Sequence, residues 1–361
     1  MNNHFIKTCL FYFFGIIFFI GCENSFHEKN VLLANKKIIE ILNKNKLPGI
    51  SVTVLKSGNK IYSKAFGYSD VDLKKEIDPA KTLFRIGSFS KTLTASALMF
   101  YEEKKQVLLD SNVNFYLKDY PEKKWNFTPR QLAGHLSGIR HYKKNEMYIN
   151  QNFDSVFDAL KIFSEDSLLH KPNTKYLYST HAWVVLSAVI EKIAGKPFLS
   201  VMKDQVFDPL KMKNTYADIE DLSNKNVVKY YQYKDSSNSY ELAPKVNNSW
   251  KWAGGGFLST TEDIAAFLLA HSSPGFLNSK SLKTLQTSQE ICSGEKTNYG
   301  LGWRTKYDRK NNPLIGHTGG SIGGTTYAFL SPKNNVILVI ASNIGSAQFE
   351  DLALNLFEIF E

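Results

Sequence analysis

Apolar residues recur every three to four positions over residues 31–45 (VLLANKKIIEILNKN), which predicts an amphipathic helix, and Pro48-Gly49 ends it. The next stretch, GISVTVLKSGNKIYSKAFGYSD, changes period. Two β-branched runs flank Ser57-Gly58-Asn59, the pattern of a hairpin. A short strand over residues 82–86 follows, then Gly87, then a helix over about residues 88–105. From about 107 to 240 the chain is loop-rich with helical patches. The clearest is HAWVVLSAVIEKIAG (181–195), closed by Gly195. Residues 259–270 predict another helix, with Ser259 or Thr260 as cap and Glu262 and Asp263 in the first turn. The end of the chain is strand-like again in YGLGWRTK, PLIGHTGG, GTTYAFL and NVILVIASN, and EDLALNLFEIFE reads as a terminal amphipathic helix. Strands at both ends with helices between predict an α+β fold. One antiparallel sheet would be built from the two termini and flanked by helices, with a mostly helical region (about 107–240) inserted in a single domain over 31–361.

Residues 1–21 break this pattern. One lysine precedes an apolar run from about Cys9 to Ile20. That is short of the roughly 20 residues that span a bilayer and has the length of a signal-peptide core. The run ends in Phe19-Ile20-Gly21-Cys22, which resembles the lipobox of bacterial lipoproteins, whose cysteine is lipidated and becomes the first mature residue. The expectation is a signal peptide over 1–21, a lipid on Cys22, a tether over 22–30, and a body attached to the membrane of a bacterial envelope, outside the cytoplasm. An uncleaved anchoring helix is the alternative and puts the body on the same side. Cys9 would leave with the signal and Cys22 would carry lipid, so Cys292 would be alone and no internal disulfide is expected.

Composition narrows the function classes. With 361 residues, 43% hydrophobic and 22% charged, the chain can bury a substantial core. Its formal net charge of +10 comes from scattered lysines and reads as solvated surface, facing an anionic envelope. No basic recognition helix or RNA-binding aromatic signature occurs, so nucleic acid is not an expected partner. His135 and His141 lie close together in HLSGIRHY, but no His-Glu-x-x-His or paired-cysteine spacing accompanies them, so neither metal nor cofactor is expected. There is no phosphate loop and no G-x-S-x-G elbow.

Four Ser-x-x-Lys pairs occur: Ser57/Lys60, Ser88/Lys91, Ser200/Lys203 and Ser293/Lys296. Turn chemistry accounts for the first, and the third falls in a helical patch facing solvent. Ser88/Lys91 alone sits at a strand-to-helix junction, where the first helical turn has free N–H groups and a partial positive charge. A serine there can be nucleophilic. A lysine three residues on points the same way, and a crowded apolar setting can strip its proton. The competing reading is a helix-capping serine beside an ordinary lysine. Three other stretches could join this pair. Tyr178-Ser179-Thr180 precedes a helix, where a tyrosine can relay a proton. His317-Thr318-Gly319-Gly320 ends a strand before a glycine-rich turn, and a backbone N–H there can complete an oxyanion hole with that of Ser88. Gly254-Gly255-Gly256 permits close backbone approach. Each alone has a plain structural explanation: packing, a tight hairpin, a flexible loop.

The combination is more specific than its parts. Ser-x-x-Lys, then Tyr-x-x, then His-Thr-Gly, in this order, resembles the serine β-lactamase and penicillin-binding family, most nearly class C β-lactamases and their esterase and DD-peptidase relatives. TPRQLAGHLSGIRHY, KYLYST and VNNSWKWAGGGFLSTTEDIAAF are similar to one branch, the mitochondrial serine β-lactamase-like members of animals. The resemblance covers roughly residues 36–345. It implies that Ser88 is acylated, that Lys91 activates it and that Tyr178 shares the proton transfer. It implies an oxyanion hole from the N–H groups of Ser88 and Gly320, and a substrate-binding edge formed by His317, Thr318 and Gly319, with Thr180 pointing into the same cleft. Two positions depart from the family's β-lactamases: Thr180 stands for an asparagine, and His317 for a lysine that is a permanent cation. Both weaken β-lactam hydrolysis and leave acyl transfer intact. The expected function is an envelope serine hydrolase acting on a peptide, amide or ester, with peptidase-like activity favoured. A D-alanyl-D-alanine carboxypeptidase or β-lactamase is the narrower alternative. A non-catalytic, self-assembling structural protein is the alternative of another class, since homo-oligomers are conceivable in this branch.

Overall fold

Both ends of the chain enter one sheet. In the computed structural model, which describes residues 27–219, 221–222 and 224–361, helix α1 (27–44) leads into β1 (Gly49–Lys56) and β2 (Asn59–Gly67). The C-terminal half supplies β8 (Arg304–Tyr307), β9 (Pro313–Ser321), β10 (Gly324–Ser331), β11 (Val336–Ser342) and the closing helix α10 (Glu350–Phe360). The strands order as β2-β1-β11-β10-β9-β8, and every neighbouring pair is antiparallel. The β1–β11 pairing closes the sheet, joining Val52 to Ile340 across nearly the whole chain.

Side-chain alternation sorts the two faces. Leu338 and Ile340 of β11, with Val52 and Val54 of β1, pack against Ala34 and Ile38 of α1 and Leu352 and Leu356 of α10. Ile337 and Val339 point to the opposite face, into the larger core shared with the helices. β11 is therefore apolar at nearly every position, because both of its faces are covered. On the second face, Ser51 and Thr53 meet the hydroxyl of Thr261 at 2.8 and 2.9 Å, fixing helix α8 (Thr261–Ala270) across the sheet. Thr260 caps α8 by accepting the N–H of Asp263.

The middle of the chain builds the other wall. Helix α2 (Ser90–Glu103) and helix α5 (His181–Ala194) are its long members. Around them stand the short helices α3 (Pro129–Ala133), α4 (Val156–Leu160), α6 (Phe198–Met202), α7 (Trp252–Gly255) and α9 (Ser279–Gln286). Strands β3 (Phe84–Arg85), β7 (Phe257–Ser259) and β4 (Tyr216–Ala217) form a small sheet in the order β3-β7-β4, and β5 (Tyr231–Lys234) pairs with β6 (Ser239–Leu242).

The α+β architecture matches the expectation from sequence; several boundaries do not. Residues 27–30, the first described, are already helical, so they belong to α1 and not to a tether. They contain neither Gly nor Pro to stop it. The inserted region also contains β4 and β5 and the start of β6. β5 and β6 are tyrosine-rich runs around Lys234-Asp235-Ser236-Ser237-Asn238, a hairpin signal that the surrounding polarity concealed. Cys22 and the signal segment lie outside the described residues.

Candidate active site

Gly87 shapes the site. Its φ of +50° turns β3 into one 3₁₀ turn, Gly87–Phe89, that feeds α2. A Cβ on Gly87 would lie 2.6 to 2.8 Å from the O, N and C atoms of Gly320, so the turn and the end of β9 meet main chain to main chain. Gly319 is equally constrained, since a Cβ there would fall 1.9 Å from the carbonyl oxygen of Ile86. The Ser90 hydroxyl donates to the Gly87 carbonyl at 2.7 Å and braces the turn. Phe89 and Ser90 are buried; Ser88 between them and the cleft is part-exposed.

Lys91 is fully buried beneath Ser88. Its Nζ lies 3.0 Å from Ser88 Oγ, 2.5 Å from the Gly254 carbonyl oxygen and 3.3 Å from Thr180 Oγ1. Among the described residues no carboxylate pairs with it. Burial, and then the charge of Arg304, hold its pKa well below the ordinary lysine value. A neutral amine has two hydrogens and one lone pair. The hydrogens can go to Gly254 and Thr180, and the lone pair is then left for the hydroxyl proton of Ser88. Gly254 comes this close because it has no side chain: a Cβ there would sit 2.5 Å from Thr180 Cγ2.

Tyr178 closes the group. Its ring lies 4.9 Å from Lys91 Nζ, and its hydroxyl faces Ser88 and Arg304. Burial raises the Tyr178 pKa, and Ser88 and Arg304 pull it only partway back, so the phenol keeps its proton at neutral pH. A protonated phenol beside a nucleophile can hand that proton to a leaving group.

Of the remaining expected residues, Gly320 is exposed at the cleft edge and Thr318 is part-buried beside it. His317 requires a correction. It is fully buried, its Nδ1 lies 2.5 Å from the Thr318 carbonyl oxygen and so carries the proton, and its Nε2 accepts the Tyr299 hydroxyl at 3.0 Å. Burial, and then the charge of Arg304, hold the ring neutral. Both nitrogens are spent behind the strand, so the ring offers no free donor to a carboxylate. The strand edge facing the cleft is left to Thr318 and Gly320.

Two residues escaped sequence reasoning. Arg304, on β8, lays its guanidinium 5.2 Å from the Tyr178 ring and 5.7 Å from the Tyr299 ring. It makes no ion pair among the described residues, and its Nε is buried without a partner. One arginine among 44 basic residues carried no mark in the sequence. Lys251 is 5% exposed, with its amine 5.2 and 5.1 Å from the Tyr142 and Trp250 rings. Burial, then the charge of Arg85, lower its pKa to about 7. It borders a groove of about 570 Å³ that begins at Gly320 and Ser321 and is walled by Tyr142 and Tyr231.

A part-exposed serine, a neutral lysine and a protonated tyrosine, gathered where a glycine turn meets a strand edge, define a serine acyl-transfer enzyme. The chain belongs to the Beta-lactamase family, whose profile matches residues 34–359. It is 26% identical to the mitochondrial serine beta-lactamase-like protein LACTB of Homo sapiens over 416 residues, covering 86% of this chain and 76% of that one. It is 26% identical to penicillin-binding protein 4* of Bacillus subtilis over 312 residues, covering 81% and 67%. Among solved structures, the octameric penicillin-binding protein homologue from Pyrococcus abyssi superposes with a TM-score of 0.78 at 25% identity, over 91% of this chain and 77% of that one. The D-amino acid amidase from Ochrobactrum anthropi shares the fold, with a TM-score of 0.78 at 21% identity over 90% and 98%. The protein is accordingly a serine hydrolase of the acyl-enzyme type.

Proposed function

We propose that the protein is a lipid-anchored envelope hydrolase that cleaves a peptide, amide or ester through an acyl-enzyme on Ser88, with a peptide favoured. The Ser88 Oγ bonds to the carbonyl carbon while its proton passes to the neutral Lys91 amine. The carbonyl oxygen, now negative, takes hydrogen bonds from the N–H groups of Ser88 and Gly320. The bond to the leaving group breaks, and the leaving group takes its proton from Tyr178, which Lys91 reprotonates. Water then attacks the ester on Ser88 and gives up its proton along the same route, restoring the serine and releasing the acid.

The observation that carries this reading is the 3.0 Å contact between a part-exposed serine and a buried lysine that has no acid, among the described residues, to keep it charged. The Phe19-Ile20-Gly21-Cys22 stretch supports the lipid anchor; among the described residues no helix is long and apolar enough to cross a membrane. An Arg304 guanidinium without an ion pair among the described residues supports a substrate that carries a carboxylate, which favours peptides cut near a free C-terminus and makes a carboxypeptidase the second reading. A fluorophosphonate probe tests the proposal. Intact mass should show one adduct, peptide mapping should place it on Ser88, and Ser88→Ala should take up none. Absence of label, or equal label on the alanine variant, overturns it.

A further inference from the structure

The loop that carries Tyr178 is held by two histidines for which acyl transfer has no direct use. The Ser179 N–H donates to His135 Nδ1 at 3.0 Å, and the Thr180 N–H donates to His141 Nδ1 at 3.2 Å. Two further bonds join the same segments: the Leu177 N–H to the His135 carbonyl at 2.9 Å, and the Ser179 hydroxyl to the Arg140 carbonyl at 2.6 Å. The Ser179 hydroxyl also accepts the Ala182 N–H, so the same clamp reaches the first turn of α5. Both rings flank Tyr178, with centroids 4.2 Å (His135) and 5.6 Å (His141) from its own. His135 holds an unusual backbone angle, φ +60°, to reach this position.

We propose that His135 and His141 are positioning residues, a pair of imidazole acceptors that grip two consecutive backbone N–H groups and thereby aim the Tyr178 hydroxyl at Ser88. The chemistry requires neutral rings. Each Nδ1 offers its lone pair to an amide hydrogen, so the ring proton sits on Nε2, and a second proton would displace the amide. Burial leads the effects that keep both rings neutral, and a proton on Lys91 would only add to it; His141 falls to about 4. The pair explains why HLSGIRHY carries two histidines at this spacing with no metal chemistry around them. Among the described residues no cluster suited to a metal ion occurs.

The proposal rests on the acyl-enzyme reading, and the test separates the two. The rate of Ser88 labelling by a fluorophosphonate, and kcat/KM for an anilide substrate, are measured on the full chain and on His141→Asn, His141→Gln and His141→Leu. An asparagine Oδ1 occupies nearly the place of Nδ1, whereas glutamine reaches toward Nε2. The expected result is a loss of about ten- to a hundredfold in His141→Leu, the scale of a misplaced catalytic group. Recovery to within about threefold is expected in His141→Asn and not in His141→Gln. His135→Asn, which tolerates the left-handed angle, should behave as His141→Asn does. On a Tyr178→Phe background His141→Leu should cost little more, because the histidine acts through the tyrosine. Rescue by glutamine instead of asparagine, an undiminished leucine variant, or an equal further loss without the Tyr178 hydroxyl would overturn the proposal. Should the leucine variant not fold, the asparagine and glutamine comparison still decides. A wild-type chain that takes no label refutes the hydrolase reading itself, and the positioning role with it.

Discussion

The amine of Lys91 and the hydroxyl of Ser88 are 3.0 Å apart, and the amine is buried where, among the described residues, no carboxylate accompanies it. This pairing determines how the enzyme responds to pH. In the proposed mechanism acylation needs the free amine, so its rate should fall as pH drops through the depressed pKa of Lys91 and level off above it. Lys91→Arg keeps a cation that cannot be deprotonated and should lose at least about a thousandfold in Ser88 labelling at every pH. A pH series of labelling rates on the two proteins checks both statements.

Arg304 and its unpartnered Nε predict a selective defect. Arg304→Met should lower kcat/KM for peptides ending in a free carboxylate by about ten- to a hundredfold, the range of a lost charge-assisted hydrogen bond of roughly 1.5–3 kcal/mol. The matching C-terminal amides should lose less. Kinetics on such a pair of peptides is the check.

Lys251 has its pKa lowered to about 7, and its amine makes no hydrogen bond or ion pair among the described residues. The unfolded chain binds that proton up to an ordinary lysine pKa near 10.5, so wild-type stability should rise with pH from about 7 to 10.5. Lys251→Met removes this contribution. Its melting temperature should exceed that of the wild type at pH 7 and below, with the advantage shrinking as pH nears 10. Thermal melts at pH 7 and pH 10 test the sign.

Adjacent glycines on β9 should behave oppositely. A Cβ at Gly319 would strike the Ile86 carbonyl at 1.9 Å, whereas one at Gly320 would meet nothing within 4 Å. Gly319→Ala should lower the melting temperature by several degrees and Gly320→Ala should not, as calorimetry can show.

Much of this was visible in the chain. The shift from helical to alternating periodicity at Gly49, the hairpin at Ser57-Gly58-Asn59 and the closing strands gave the two-ended sheet, because each face of each strand meets a fixed layer. Gly87 before Ser88 marked the junction where the proposed nucleophile sits. What escaped depended on contacts between distant segments. Nothing local says that His317 turns inward to Tyr299, or that Arg304 supplies the cation beside the cleft. His135 and His141 stand close together in HLSGIRHY without the spacing of a metal motif, and the sequence shows no other use for them. Their backbone partners lie about forty residues away, so no short-range pattern shows them.

The central claim is that an acyl group passes through Ser88. The most direct measurement is rapid mixing with p-nitrophenyl acetate, an acid quench and peptide mass mapping. The account predicts a burst of p-nitrophenolate matching the enzyme present and an acetyl group on the peptide carrying Ser88, both absent in Ser88→Ala. Turnover that survives the alanine substitution, or an acetyl group carried on another residue, would contradict it.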